Sequence, residues 1–223
     1  MVEAGFYLLT VLMIFSPLLI LQKSDDPPKR KRAYSFIIVG WLIYISALSN
    51  SRWLEDFGFP PRIPLLIVIP ALVSIISYTS RNWILEAISK LKDHQVIYIQ
   101  SFRIAVELLI YGAFLNGVFP KRVTFEGLNY DILVGISALI VGALVQKGII
   151  RTRGILIWNI ISLGILSITV FSFISTYYFM DTMSGNFGFV RLPYLFLASV
   201  LLPFAVFYHV ISIRQQLMKS HLS

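Results

Sequence analysis

The chain contains no cysteine. Disulfides, iron–sulfur clusters, thiolate metal sites and cysteine nucleophiles are therefore excluded, and the redox compartment is left open. Charge is scarce as well. Asp, Glu, Lys and Arg make up 13% of the 223 residues, against 57% hydrophobic. A soluble domain carries about 25% charge, so this chain lacks the polar side chains to cover a water-facing surface. No Walker loop, H-E-x-x-H or G-x-S-x-G motif occurs, and with them go the signatures of P-loop, zincin and serine-hydrolase chemistry. No cofactor motif is present. His94 and His209 both fall toward one basic side, but nothing beyond that position favours haem. Acidic residues inside apolar sequence are rarer still, with Glu107 the only one well inside a run.

What is present is long apolar sequence. Seven segments, at about 5–22, 34–50, 63–79, 95–118, 131–147, 154–179 and 191–213, are separated by turn and charge signals such as "KSDDPPKRKR" and "MDTMSGNFGFV". Each approaches the ~20 residues that cross a bilayer core. The expected fold is all-α: a polytopic membrane helical bundle of seven transmembrane helices, in a single domain over 1–223. The opening run has Glu3 where a signal peptide has a basic region, and no A-x-A-like site follows it, so it reads as a retained first span.

Alternate loops differ in charge. Lys23, Lys29, Arg30, Lys31, Arg32, Arg81, Lys90, Lys92, Lys147, Arg151, Arg153, Arg214 and Lys219 fall on one side. Arg52, Arg62, Lys121, Arg122 and Arg191 fall on the other. Thirteen against five predicts an outside N-terminus and a cytoplasmic C-terminus, in an inner (cytoplasmic) membrane. The same rule accounts for the net charge of +8 without nucleic acid, which would need a basic, aromatic-laced patch on a soluble domain. "RNWILEAISKLKDH" places Trp83, Ile84, Ile88 and Leu91 on one face. It either lies along the inner membrane surface or extends a neighbouring span.

A faint repeat links the ends of the chain. "LILQK" and "ALVQK" close spans one and five, while "RIPLLIVIPAL" and "RLPYLFLASVL" open spans three and seven. The plan would be 3+1+3 with parallel repeats, as in several transporter folds.

The fourth span carries the candidate site. Gln100, Arg103, Glu107 and Tyr111 are spaced i, i+3, i+7 and i+11, one stripe roughly 80° wide on a helix. A single charge at helix centre costs roughly 2.5–3.5 kcal/mol, so the stripe should face other helices or a wet cavity. Two readings follow. Arg103 and Glu107 neutralise each other and bind neighbours such as Ser46, Ser74, Asn159, Ser162, Ser167, Thr169 and Tyr208. Alternatively the stripe contacts an ion, proton or polar solute, with His209 at its cytoplasmic edge as a relay or a packing residue. Gly135, Ala138 and Gly142 form a small-residue face for close packing, and Pro17, Pro70 and Pro203 are kink positions. The loop "PKRVTFEGLNYDILVG" reads as a solvated turn rather than a structured lid, with Lys121, Arg122, Glu126 and Asp131 outside.

"FEGLNYDILVG" and "HVISIRQ" resemble segments of uncharacterised bacterial seven-helix membrane proteins, a likeness that implies no activity. The plan is also similar to the semi-sweet sugar transporters and microbial rhodopsins. The Pro-Gln motif of the former and the seventh-span lysine of the latter are missing here, so that likeness is architectural.

The expected function is binding or transport of a small polar or anionic solute or ion. The alternative is a non-transporting membrane subunit or scaffold that binds a partner membrane protein, or further copies of itself, through its spans. A lipid- or quinone-directed enzyme would lack both nucleophile and metal set, so enzyme activity is not expected.

Overall fold

The computed structural model describes residues 1–180 and 187–220. The turn expected over "MDTMSGNFGFV" falls largely on 181–186, outside the described residues. Every regular element among the described residues is helical. In chain order these are α1 (Val2–Phe15), α2 (Pro17–Leu21), α3 (Pro27–Asn50), α4 (Ile69–Thr79), α5 (Asn82–Ser89) and α6 (Asp93–Ile99). Then follow α7 (Phe102–Leu115), α8 (Asp131–Gln146), α9 (Thr152–Tyr178) and α10 (Leu202–Ser220). Each of the seven apolar segments is largely helical, although 191–195 form a turn and the 95–118 segment is interrupted at Gln100 and Ser101.

Local chemistry sets the boundaries. Asp26 caps α3 by accepting from the Lys29 N–H at 3.3 Å, and two prolines occupy the first turn, where no N–H is needed. Gly117 and Gly148 end α7 and α8 with φ of 73°, a left-handed position that suits glycine. Beyond them the Val118 and Ile149 N–H groups reach back to the Ala113 and Leu144 carbonyls at 2.9 Å.

Five helical runs are long and apolar enough to cross a membrane: Val2–Leu21, Pro27–Asn50, Asp93–Leu115, Thr152–Tyr178 and Leu197–Ser220. Pro64–Thr79 and Asn82–Ser89 qualify only as a pair, bent by 75°. α8 is apolar but spans 16 residues, about 24 Å at 1.5 Å per residue. Apolar side chains such as Phe36, Ile43, Ile160 and Phe171 face outward along α3 and α9, as lipid-facing residues do. α10 is the most buried of the long helices and α3 the least.

The three prolines each open a backbone acceptor, and a side chain fills it. Pro17 lacks the N–H that the Met13 carbonyl would use, and the Ser16 hydroxyl donates there at 2.6 Å. The Leu66 carbonyl, four residues before Pro70, accepts from the Tyr44 hydroxyl at 3.0 Å. The Ser199 carbonyl, four before Pro203, accepts from the Trp41 indole at 2.8 Å. α3 is thus tied to α4 and α10 at their weak points. Both partners open with a π turn, Pro64–Val68 and Leu197–Leu201, just ahead of the proline.

α8 packs on the α6–α7 pair through its small face. A Cβ at Gly135 would stand 2.8 Å from the Ile104 backbone nitrogen, and one at Gly142 2.6 Å from the Tyr98 ring. α5 turns away from α4 and buries Ile84, Ala87 and Ile88 against the bundle, so its apolar face meets protein. The expectation of a solvated turn between α7 and α8 is overturned. Phe119, Val123, Thr124 and Asn129 are buried, and the Leu128 N–H returns to the Arg122 carbonyl at 2.8 Å. Its apolar and amide side chains draw this loop inward.

Candidate functional site

The helical run that carries the stripe, Asp93–Leu115, is broken. α6 stops at Ile99 and α7 starts at Phe102, with Gln100 and Ser101 in a turn whose N–H groups bond three residues back. Gln100 is buried here, donating to the Ala205 carbonyl at 3.1 Å, while its Oε1 has no partner among the described residues.

One turn on, Arg103 is 1% exposed. Its Nε donates to Asp131 Oδ2 at 2.5 Å and its Nη2 to Oδ1 of the same carboxylate, a two-pronged pair. Its Nη1 meets His209 Nε2 at 3.0 Å. An arginine can only donate, so Nε2 is the acceptor and the imidazole proton sits on Nδ1. From there it is donated to Asn159 Oδ1 at 2.7 Å. Asn159 in turn donates to Ser212 Oγ at 2.9 Å and the Ile155 carbonyl at 2.8 Å. The chain of bonds ties α7, α8, α9 and α10 together in the core. Both nitrogens of His209 are engaged, which leaves neither open to iron.

Glu107 belongs to a second strand of the network. Its Oε2 accepts from Asn129 Nδ2 at 2.7 Å. Asn129 Oδ1 accepts from the Asp131 N–H at 3.0 Å and from Thr169 Oγ1 at 2.9 Å. The hydrogen-bonding partners of Arg103 are thus Asp131 and His209, where the sequence suggested Glu107. Oε1 of Glu107 makes no hydrogen bond among the described residues.

That carboxyl borders a cavity of about 90 Å³ between α7, α9 and the start of α10. Arg103, Asp131 and Thr169 also line it, while the rest of the wall is apolar, including Val106, Phe173 and Tyr177. Phe173, Tyr177 and Phe189 pack ring against ring, with centroids 4.9–6.4 Å apart, along one wall of the cavity.

Of the five predicted site residues, Arg103 and His209 meet directly and Glu107 joins them through Asn129 and Asp131, while Gln100 is buried nearby with a bond only to the Ala205 carbonyl. Tyr111 does not join them. It is half-buried at the end of α7, stacks on Phe125 and donates to Glu126 Oε1 at 2.9 Å. That bond, with Lys121 at 3.2 Å, holds the Glu126 carboxyl below its ordinary range. Of the suggested neighbours, Asn159 and Thr169 enter the network. Ser74 and Ser167 bond back to their own helices, and Tyr208 meets Ser16 at 2.5 Å.

Asp131, expected outside in a solvated turn, is instead buried against Arg103, and Asn129 escaped the sequence reading. The signal was there in "NYD" ahead of an apolar helix, opposite a span with a buried arginine in need of a carboxylate. No protein-family model, curated protein or solved structure matches this chain. The fold and the buried polar network define it as an all-helical protein with several helices long and apolar enough to cross a membrane.

Proposed function

We propose that the chain is a seven-span protein of the cytoplasmic membrane, N-terminus outside, that binds and passes a proton or small cation at Glu107. The cavity beside Glu107 carries this reading. One guanidinium stands among two buried carboxylates, and Asp131 takes its hydrogen bonds. The surplus carboxyl needs a proton or small cation to be tolerated away from water. At about 90 Å³ the space is smaller than the ~150 Å³ that accommodates benzene, so a few waters or an ion fit where a sugar-sized solute does not. Arg103, Asp131, His209 and Asn159 are the frame that holds the carboxyl in place.

Infrared spectroscopy on the protein in lipid vesicles tests this. The parent should show a protonated-carboxyl band that titrates with pH, and Glu107→Gln should remove it. Ion or proton flux under an imposed potential should fall with it. A band that survives Glu107→Gln, in vesicles that stay tight for the parent, would leave the second reading. That reading is a non-transporting membrane subunit, and it draws on Arg103 being fully paired rather than free for a ligand.

A further inference from the structure

α3 stands off from the bundle. Between it, α4 and α10 runs an apolar groove of about 670 Å³, floored by residues such as Ile38, Trp41, Ile75 and Phe204. Along α3 the groove extends from Tyr34 to Tyr44, which is about 15 Å at 1.5 Å per residue. That is half of a ~30 Å hydrocarbon core, or one leaflet. At the end nearer Tyr34, Tyr78 and Arg81 are shared with a second space of about 550 Å³, whose wall adds Arg30, Ser80, Asn82 and Trp83.

This mouth is basic and under-bonded. Arg81 has no ion-pair partner among the described residues. Arg30 lies 4.3 Å over the Trp83 ring and 3.5 Å from Asp25, yet its buried Nε has no hydrogen-bond partner. The Tyr78 hydroxyl is likewise buried without a partner, at the junction of groove and mouth. Arg214 reaches the same rim through Ser80 at 2.8 Å. An apolar slot one leaflet deep ends at a rim of three arginines, Arg30, Arg81 and Arg214.

We infer that this groove holds one anionic glycerophospholipid, drawn from the leaflet on the basic face of the protein. An acyl chain lies along α3, and the phosphate sits among Arg30, Tyr78 and Arg81. A phosphate offers only acceptors, and its charge matches the arginines of the mouth, of which Arg81 is exposed and has no ion pair among the described residues. A zwitterionic lipid would bring an ammonium into the same rim.

The test is native mass spectrometry on the full chain in detergent, after incubation with equal amounts of phosphatidylglycerol and phosphatidylcholine of identical chains. One phosphatidylglycerol per chain should be retained in preference. Arg81→Gln and Arg30→Gln should each lower its retention about fivefold. Gly40 offers an independent handle, because a side chain there meets nothing within 4 Å and enters the groove. Gly40→Phe should abolish retention while the unfolding midpoint in lipid-free detergent stays at or above that of the parent. Equal retention of the two lipids would overturn the inference, as would arginine variants that keep the phosphatidylglycerol. So would displacement of the lipid by an equal concentration of glycerol phosphate, since the acyl groove would then contribute nothing.

Discussion

Arg103 keeps its charge at any accessible pH, whereas a carboxylate can escape an apolar site by taking up a proton. The pair it forms with Asp131 is therefore asymmetric. Asp131→Leu leaves Nε and Nη2 of a buried guanidinium without an acceptor, and breaking such a pair costs about 3–5 kcal/mol. Arg103→Leu strands a group that can neutralise itself. Thermal unfolding in detergent should show Asp131→Leu as the harsher single change, with the double Leu variant recovering much of the loss. Pairing Arg103→Leu with Glu107→Leu should give far less recovery, because Glu107 is bonded to Asn129. Rescue by the Glu107 change instead would mean that the ion pair in the membrane is the one within α7. The sequence pointed to that partner because four residues is one helical turn. The actual partner is 28 residues away, at the head of α8, where an aspartate reads as a solvated first-turn acid. Only the inward folding of the preceding loop, through Asn129 and Thr124, makes it a core residue.

Among the helices, close approach separates glycines that packing needs from those it does not. At Gly135 a methyl group would meet the backbone of Ile104 at 2.8 Å and of Arg103 at 3.4 Å, and a backbone cannot step aside as a side chain tip does. Gly135→Ala should cost about 1–3 kcal/mol by overpacking and should loosen the α7–α8 contact that brings Asp131 to Arg103. Gly164, inside α9, has nothing within 4 Å, so Gly164→Ala should raise stability by up to ~1 kcal/mol through helix propensity alone. Equal effects at the two positions, read from unfolding midpoints in detergent, would show that α8 does not seat against α7 through Gly135. This small-residue face was legible, since Gly135, Ala138 and Gly142 recur at helical spacing and composition alone marks them. The helices themselves were legible for the same reason, as long apolar runs leave few other structures open. The break at Gln100–Ser101 was not. Neither residue is proline or glycine, and the turn is held by the bond from Gln100 to the Ala205 carbonyl of α10, which no local pattern encodes.

For the molecule as a whole, side-chain bonds gather basic residues at one end. At that end, Lys23 and Lys90 donate to each other's carbonyl oxygens at 3.0 and 3.2 Å, and Lys219 pairs with Asp93 at 2.7 Å. Arg30 covers Trp83 there, and Arg214 reaches Ser80. Elsewhere Arg191 pairs with Glu55 of another loop, while Arg62 with Asp56 and Lys121 with Glu126 pair within their own loops. Lys23, Arg30, Lys90, Arg214 and Lys219 are residues that the charge count assigns to one side, and that more basic end should be cytoplasmic. Reporter fusions after Arg32, Lys92 and Arg153 should then read as cytoplasmic, and fusions after Asp56 and Glu126 as external. The decisive pair is Asp56 with Lys92. Between them lie α4 and α5, which qualify as one crossing only together and across a 75° bend. Opposite locations for those two fusions mean that α4, with the π turn before it, traverses the membrane and α5 runs along the basic face. The same location for both would make the segment re-entrant. It would also leave α6–α7 entering from the opposite side, and the seven-span plan would fail at its third helix.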